Sequence, residues 1–364
     1  MSRVELIRPD ELDAAELRLW QDWRRTDADL VSPYFSPHWA GAVAQVRADV
    51  RLARFSNDNG RPIGFLPVQH PSRNVLQPAG GPLCDYQGAI GAPDQMPDIQ
   101  ALLGAAGAGR YDFSNLLAKQ PVFAGHAREI HVSRVISLEG GYETYQQKRR
   151  AAGSSENKRA RKRARKLGRE AGPVRLATQC RESALFEQLI RWKRDQYKRT
   201  GQTDIFARPW ALELVRTLFE SREPDLHAEL FALYAGEHLA ALNLCLRSQA
   251  VLHCWFIAHD PALSQFSPGL VLFERMIEHL SNAGMNELDL GAGDYQFKRN
   301  LANAARPLCG GFVGGGALSA RIRAWQYDLR RLFEALPLGP VSAWPGKAMR
   351  RHDLHLGLRV SATF

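Results

Sequence analysis

The chain has 364 residues, of which 45% are hydrophobic and 24% are charged, proportions that are ordinary for a soluble globular protein. No apolar run approaches the length of a membrane span, and residues 1–9 lack the apolar core of a signal peptide. The length suits two domains with separate cores, and we expect a cytoplasmic location.

The net charge of +10 is concentrated in one segment. Between Lys148 and Glu170 there are eleven Lys/Arg and two Glu, a net charge of +9, and the rest of the chain is close to neutral. The overall charge therefore does not indicate a nucleic-acid-binding protein. The cysteines form no C-x-x-C pair and are odd in number, so we predict buried, reduced thiols and no metal site. They are Cys84, Cys180, Cys245, Cys254 and Cys309.

In the first half, a Gly- and Pro-rich loop at residues 78–91 separates predicted strands and carries Asp85 and Tyr86. Loops on a rigid scaffold often carry binding residues, but Asp85 is equally well explained as a turn residue bonded to nearby backbone. The segment Asn57-Asp58-Asn59-Gly60 is typical of a β-hairpin. Hydrophobic periodicity predicts helices at 12–23, 38–46 and 100–106, and strands at 51–55, 63–68, 112–117 and 131–136.

The basic segment is predicted to form a helix that begins after Ser155. Ala160, Ala164 and Leu167 give it a narrow apolar stripe, and Lys and Arg fill most of the remaining positions. We favour a solvated face with incidental affinity for anions, which is the usual outcome for such a run. The alternatives are a polyanion site for RNA, acidic polysaccharide or an anionic membrane, and a position beside co-substrate phosphates. No aromatic residue lies between 146 and 172, which argues against a stacking platform for single strands.

The second half predicts two helices, a meander and a helix that leads to a glycine turn. Ser267-Pro268-Gly269 is a strong helix start, with Ser267 as the cap and Pro268 in the first turn. Gly284 ends that helix, and a short strand leads into Gly291-Ala292-Gly293. Helices are predicted at 184–197, 210–219 and 318–332, and strands at 230–234, 239–247, 251–257 and 287–290. The strand–turn–strand pattern at 52–68 recurs at 231–246, which we interpret as weak internal duplication.

A helix N-terminus that follows a strand is a ready anion site, and the end of the next strand should lie beside it. Asp294 and Lys298 follow that next strand, and we rank them first as catalytic residues. A carboxylate can remove a proton from an acceptor, and a lysine can stabilise negative charge. A surface ion pair after a turn is the competing interpretation.

Three further side chains on the adjoining strands are candidates. His253 and Trp255 share a face if side chains alternate regularly, and a base with a stacking platform would suit a sugar. We favour a buried core histidine beside a packed tryptophan. Asp289 is predicted to bond backbone at the glycine turn or to face the cleft. The face of Asn243 depends on the strand register, which the sequence does not decide.

Ser267-Pro268-Gly269 followed by D-x-G-x-G-D-x-x-x-K at 289–298 resembles the GNAT acyltransferase superfamily. More narrowly, it is similar to the two-domain, Fem-like branch of cellulose- and exopolysaccharide-biosynthesis acetyltransferases. The resemblance includes the segment 82–88 and covers roughly residues 32–298. Standard GNAT enzymes bind the CoA pyrophosphate with a Q/R-x-x-G-x-G/A loop, of which this chain has only Gln265 and Gly269.

The resemblance implies an α/β (α+β) fold of two GNAT-like domains with mixed, mostly antiparallel sheets flanked by helices. We expect an N-terminal domain at 1–145, a basic linker helix at 146–172, an acyltransferase domain at 173–325 and a tail at 326–364. The predicted catalytic residues are Asp294, Lys298 and His253. The predicted donor-binding residues are Ser267, Gly269 and Leu270. The predicted acceptor-binding residues are Asp85, Tyr86, Trp255, Asp289 and Tyr295.

The expected reaction moves an acetyl or other acyl group from acyl-CoA to an amino or hydroxyl group of a sugar or polysaccharide precursor, without a metal. Fem-like relatives use aminoacyl-tRNA instead, which would give the basic helix a role. A non-catalytic protein with a degenerate acyltransferase fold, binding RNA or another polyanion, is the alternative from another class. Nucleic-acid binding is not the favoured prediction, and peripheral membrane association is left open.

Overall fold

The computed structural model describes residues 3–92, 95, 99–293, 295–337 and 339–361. Its strands are β1 (Arg3–Ile7), β2 (Val50–Ser56), β3 (Pro62–Ser72), β4 (Val75–Pro78), β5 (Ile90–Gly91), β6 (Arg110–Leu117), β7 (Ala127–Ser137), β8 (Val174–Cys180), β9 (His227–Ala235), β10 (His238–Arg247), β11 (Val251–His259), β12 (Glu287–Ala292) and β13 (Ala304–Gly314). Its α-helices are α1 (Ala14–Thr26), α2 (Pro37–Val46), α3 (Gln100–Ala106), α4 (Gly141–Ala151), α5 (Glu156–Ala171), α6 (Ser183–Thr200), α7 (Pro209–Glu220), α8 (Pro268–Asn282), α9 (Gln296–Leu301), α10 (Leu318–Ala335) and α11 (Trp344–Gly357).

The chain divides into two compact units that differ from the predicted domains. The first unit is Met1–His131 with Pro307–Phe364, and the second is Val132–Arg306. The expected boundaries near 145 and 325 and the separate tail therefore do not match this division. The tail is tied to the first unit because buried Arg47 donates to the carbonyls of Gly357 and Arg359, at 3.1 and 2.6 Å.

The first unit contains a sheet in the order β1-β2-β3-β4-β6-β13, with β5 beside β3. The predicted hairpin at Asn57–Gly60 joins β2 and β3, and Trp20 of α1 stacks on Phe65 of β3 with 5.0 Å between ring centroids. On β13, Phe312 stacks on Tyr327 of α10 at 6.0 Å. Helices therefore cover the sheet with apolar and aromatic side chains.

The second unit contains a sheet in the order β7-β12-β11-β10-β9-β8. All of its neighbouring strands are antiparallel except β11 and β12, which are parallel. The apolar face of α8, including Val271, Leu272, Met276 and Ile277, joins the core formed on this sheet. The predicted fold class, mixed and mostly antiparallel sheets flanked by helices, is confirmed.

Most predicted elements are confirmed within a few residues. The elements that were not predicted are β1, β4, β5, β8, β13, α4, α9 and α11. Strand β13 contains Gly310 and Gly311, which are unfavourable in a strand. The fold needs glycine at 311 because a Cβ there would collide with the carbonyl of His126. No helix within the described residues is long and apolar enough to cross a membrane.

Helix α5 is not an isolated linker. Ala160, Ala164 and Leu167 are at most 5% exposed and contribute to the second unit, where α5 packs against α8. The predicted apolar stripe is therefore a packing face, and only the remaining surface of the helix is solvated. Residues 146–172 therefore lie within the second unit.

Candidate functional site

The sheet of the second unit splits between β11 and β12. Among the described residues, these parallel strands pair through Val251–Glu287, Leu252–Leu288 and His253–Asp289. Beyond that point β11 continues beside β10, whereas Ala292 at the end of β12 pairs with Ser133 of β7. The two strands therefore separate after His253 and Asp289.

The glycine turn after β12 is built over a buried carboxylate. Asp289 is fully buried, and its Oδ1 accepts hydrogen bonds from the Gly291 amide and the Ser133 hydroxyl, each at 2.7 Å. Its Oδ2 lies 3.3 Å from Nη1 of Arg306. Gly291 and Gly293 have φ values of 76° and 111°, which side chains rarely permit. The carboxylate holds the turn, which places Asp289 beneath the site and not on its open surface.

His253 is also fully buried, and its Nδ1 lies 3.5 Å from Oδ1 of Asp289. The register of β11 and β12 brings these two residues side by side. The His253 imidazole is therefore buried beside the carboxylate that holds the glycine turn. The catalytic role predicted for His253 stays a prediction.

Trp255 does not share a regular face with His253. The register of β10 and β11 shifts between Leu244, which pairs with Phe256, and Cys245, which pairs with Cys254, so Trp255 is the extra residue of a bulge and the alternation of side chains is interrupted there. The half-buried Trp255 ring lies 4.9 Å from that of Phe256. A prediction that assumed two-residue alternation missed this bulge.

On the α8 side of the split lie Cys254, Asn243 and Ile257. The Asn243 side chain donates to sulfur atoms of Cys254 and Met276, at 3.6 and 3.5 Å. Burial opposes ionisation of the Cys254 thiol, but the contacts with Cys245 and Asn243 and the charge of Lys298 lower its pKa overall. Cys254, which we had assigned only to the buried thiols, thus belongs to the candidate site.

The start of α8 agrees with the predicted boundary but not with the predicted cap. Ser267 occupies the N-cap position and Pro268 begins the helix, yet the Ser267 side chain makes no capping bond. The residue is left-handed, with φ 53° and ψ 55°, and its carbonyl accepts from the Leu270 and Val271 amides at 2.9 and 3.2 Å. Because Pro268 has no N–H, the Gly269 amide is the first donor of the helix.

Gly269 adjoins the split. A Cβ at this position would meet only Cδ1 of Ile257, at 3.5 Å, which is an ordinary van der Waals distance. The helix start and the part of β11 that extends beyond its pairing with β12 are therefore neighbours. The half-buried Leu270 follows in the same turn.

Lys298 folds back over the glycine turn from α9. Its Nζ donates to the carbonyls of Gly291 and Ala292, at 3.2 and 2.8 Å, and lies 5.6 Å from the ring centroid of Tyr295. Tyr295 is 59% exposed and stacks on Phe297. The ammonium group therefore lies at the end of β12, half-buried. Asp294, the other residue ranked first, lies outside the described residues.

Helix α9 is held by the segment that precedes the meander. Tyr145 of α4 donates to the Leu301 carbonyl at 3.0 Å, and Ser154 and Arg149 donate to the Asn300 carbonyl at 2.7 and 3.0 Å. On its other side, Phe297 stacks on Phe273 of α8 with 5.9 Å between centroids. These contacts fix the helix that carries Lys298.

The basic helix lies beside the loop that precedes α8. Arg163 donates to the Gln265 carbonyl at 2.7 Å, and Nζ of Lys166 lies 5.4 Å from the Phe266 ring. Arg161 reaches further along α8, where it pairs with buried Glu274 at 3.0 Å and donates to the Tyr142 hydroxyl. Sequence reasoning found the apolar stripe of α5 but had no signal for the helix against which it packs.

Asp85 and Tyr86 belong to the first unit. Tyr86 is 1% exposed and packs near the rings of Tyr34 and Phe35, with centroids 6.5 and 6.4 Å away. It is therefore a core residue of that unit, contrary to a role at an open acceptor surface. Asp85 is half-buried. Burial raises the pKa of the adjacent Cys84 thiol, and the negative charge of Asp85 raises it further.

Comparison with known protein families finds one match to the part of the chain that forms the candidate site. Residues 154–299 match the family described as acetyltransferase (GNAT) domain. No curated protein sequence gives a significant match to the chain. The matched segment contains α5, the meander, α8, β12 and most of α9, which are the elements that form the candidate site.

Solved structures share the fold at low sequence identity. The C-terminal domain of a putative lysylphosphatidylglycerol synthetase from Agrobacterium fabrum is 11% identical, with a TM-score of 0.52 over 86% of this chain and 95% of that one. A conserved protein of unknown function from Bacteroides thetaiotaomicron is 6% identical, with a TM-score of 0.53 over 84% and 99%. A tandem GNAT protein from the clavulanic acid pathway is 11% identical, with a TM-score of 0.49 over 87% and 99%.

At these identities the structures from Agrobacterium fabrum and Bacteroides thetaiotaomicron support the fold alone, and the functional assignment comes from the domain match. Residues 154–299 match the GNAT acetyltransferase domain, and this match supports an acyltransferase.

Proposed function

We propose that the protein transfers an acetyl or other acyl group from acyl-CoA to an amino or hydroxyl group of a sugar or polysaccharide precursor. The observation that carries the proposal is the split between β11 and β12 beside the start of α8. The pantetheine arm of CoA carries amides that can pair with a free strand edge, as an added strand does. The neighbouring helix start suits the phosphates of the same molecule.

The proposed donor site has three parts. The edge of β11 that faces away from β10 beyond His253 would receive the pantetheine arm. The Gly269 amide would receive a phosphate oxygen at the positive end of the α8 dipole. Arg163 and Lys166, held beside residues 265 and 266, would add positive charge where the phosphates extend from the helix start.

The reaction needs a proton acceptor and stabilisation of negative charge. The acceptor nitrogen or oxygen attacks the thioester carbonyl, a tetrahedral oxyanion forms, and the C–S bond then breaks to release CoA as a thiolate. We assign removal of the acceptor proton to Asp294. Lys298, at the end of β12, would stabilise the oxyanion or the departing thiolate.

Two buried residues act indirectly in this proposal. Asp289 fixes the Gly291 amide and so shapes the turn, and His253 supports Asp289. Half-buried Trp255 and exposed Tyr295 are the proposed contacts for the acceptor, since aromatic rings stack on the apolar faces of sugars. A cytoplasmic location, where acyl-CoA is available, fits the proposal.

The basic surface of α5 favours one alternative donor. Lys158, Lys162, Arg165 and Arg169 are exposed on the helix that borders the donor loop. A polyanion such as aminoacyl-tRNA could be held there while its aminoacyl end entered the same split. Electrostatic binding of this kind falls steeply with salt, which distinguishes it from binding of a small CoA ester.

The test is release of CoA thiol from acetyl-CoA and longer acyl-CoAs over a panel of amino sugars and sugar alcohols. We expect thiol release with at least one pair, and a donor that raises the melting temperature by mass action. Acyl-CoAs at millimolar concentration that leave the melting curve unmoved would contradict the proposal. Transfer from aminoacyl-tRNA without thiol release would establish the alternative.

A further inference from the structure

The exposed hydrophobic residues of the protein are concentrated on one face of the first unit. Of the ten large hydrophobic side chains that are exposed among the described residues, seven lie between residues 318 and 344. Helix α10 contributes Leu318, Ile322, Trp325 and Leu332, which are 47–71% exposed. Leu336, Val341 and Trp344 continue the set towards the start of α11.

These residues form a continuous stripe. At 100° per residue, Leu318, Ile322, Trp325 and Leu332 fall within about 80° of one another on α10. The opposite face, with Ala320, Arg323 and Tyr327, is buried against the first unit. On this 18-residue helix the stripe runs from Leu318 to Leu332 and is about 21 Å long. A stripe of this width normally faces a core, whereas here it faces outwards.

The residues around the stripe carry a net positive charge, which indicates the kind of surface that binds there. Residues 307–364 contain eight Lys/Arg and three Asp/Glu, a net charge of +5. Two of the acidic residues are engaged in ion pairs, Asp353 with Arg323 at 2.6 Å and Glu334 with Arg330 at 2.8 Å. The cations Arg321, Lys347, Arg350 and Arg351 are exposed. A surface that complements this region therefore has apolar groups that contact the stripe and negative charges that contact the cations.

We propose that α10 and the start of α11 bind the surface of an anionic lipid bilayer, with the stripe inserted at the level of the headgroups. An amphipathic helix with Leu, Ile and Trp on one face and basic residues nearby has the composition of an interfacial helix. Trp325 and Trp344, 63% and 65% exposed, suit the boundary between apolar and polar regions of a bilayer. The cations gain from the negative potential of anionic lipids.

A second copy of the chain is a poorer occupant. In a two-fold dimer the same patch meets itself, so the cations beside one stripe would lie close to those beside the other. A bilayer instead supplies apolar chains and negative headgroups together. The proposal depends only on the first unit and does not depend on the donor site described above.

The experiment is flotation of the full chain with vesicles of phosphatidylcholine alone and of phosphatidylcholine mixed with phosphatidylglycerol. We expect binding to the mixed vesicles, weakened by salt, and a blue shift of tryptophan emission as Trp325 and Trp344 leave water. The variant Ile322→Ser, Trp325→Ser, Leu332→Ser removes apolar area without changing the charge, and it should lower the partition coefficient by at least about tenfold.

Two further variants separate the contributions. Arg321→Gln with Lys347→Gln and Arg351→Gln should weaken binding to the mixed vesicles while leaving the stripe intact. The matched control, Lys158→Gln with Lys162→Gln and Arg165→Gln, removes three exposed cations from α5 and should leave vesicle binding unchanged. The melting temperature of each variant shows that it is folded.

Loss of vesicle binding in the α5 variant but not in the stripe variant would overturn the proposal. So would a wild-type protein that does not float with mixed vesicles but is dimeric by sedimentation and becomes monomeric in the stripe variant. If the stripe variant does not fold, the variant with Arg321→Gln, Lys347→Gln and Arg351→Gln still provides a test. Undiminished binding of that variant to the mixed vesicles would contradict the proposed attraction between these cations and anionic lipids.

Discussion

Replacement of Gly269 by aspartate separates the stability of α8 from donor binding. The structure provides room for the side chain, because a Cβ would lie 3.5 Å from Cδ1 of Ile257 and contact nothing closer. Gly269 does not have a positive φ, so its backbone is open to any residue. The substitution places a carboxylate in the first turn, next to the first free amide of the helix.

The substitution should stabilise the fold and weaken the binding of acyl-CoA. A negative charge at a helix N-terminus stabilises the fold by about 0.3–1 kcal/mol, and loss of glycine from the unfolded chain adds about 0.4–1 kcal/mol. A carboxylate about 4 Å from a phosphate charge costs about 1 kcal/mol at the dielectric constant of water and about 4 kcal/mol at an effective value of 20. The Kd for acyl-CoA should therefore rise by about fivefold to a thousandfold.

Melting temperature and calorimetric titration with acetyl-CoA measure these two effects on the same samples. Gly269→Asn is the matched control, because it has nearly the same shape without the charge, and Gly269→Ala tests the space alone. We expect all three variants to melt at or above the wild-type temperature and only the aspartate variant to lose most of its affinity. Wild-type affinity in a folded aspartate variant would refute the donor site at α8. Lower melting temperatures in all three variants would refute the inference that the backbone of Gly269 is open to any residue.

The remaining predictions concern catalysis, the donor loop and pH. Asp294→Asn and Lys298→Met should each lower kcat by about 10²–10⁴-fold, with partial recovery in Lys298→Arg, and near-wild-type turnover in both would remove them from the mechanism. Arg163→Gln with Lys166→Gln should raise the KM for acyl-CoA and leave kcat at saturating donor unchanged; a fall in kcat would place α5 at the reacting groups instead. Burial lowers the pKa of His70, so its protonation disfavours the folded state. The unfolding free energy from urea titrations should therefore be retained above about pH 6.5 and decline as the pH falls below that value, and less so in His70→Gln. An equal decline in that variant would show that other groups are responsible.

The local signals in the sequence were sufficient for most elements near the site. Ser267-Pro268-Gly269 predicted the start of α8, and the alternation of apolar runs and turns predicted the meander. The glycines at 291 and 293 predicted a turn that only they can form, with φ values of 76° and 111°. These features depend on a few neighbouring residues, so the sequence contains the information needed to infer them.

Other predictions failed because they depended on contacts distant in sequence. The bulge at Trp255 changes the faces of β11, and it arises from pairing with β10 rather than from the composition of β11. Tyr86 was placed at a binding surface from its loop, whereas aromatic residues 50 positions earlier enclose it. The role of Asp289 was open until the structure placed Ser133 and Arg306 around it.

By itself the sequence determined the class of fold, the helix start and glycine turn, and the apolar stripe on α5, because backbone preference and hydrophobic periodicity act over short distances. Only the tertiary structure decided that β11 and β12 separate after His253 and Asp289, and that Arg163 lies against Gln265. It also decided that the stripe of α10 faces outwards while that of α5 is buried. Amphipathic periodicity reveals that a helix has an apolar face, but what covers that face depends on where the whole chain folds.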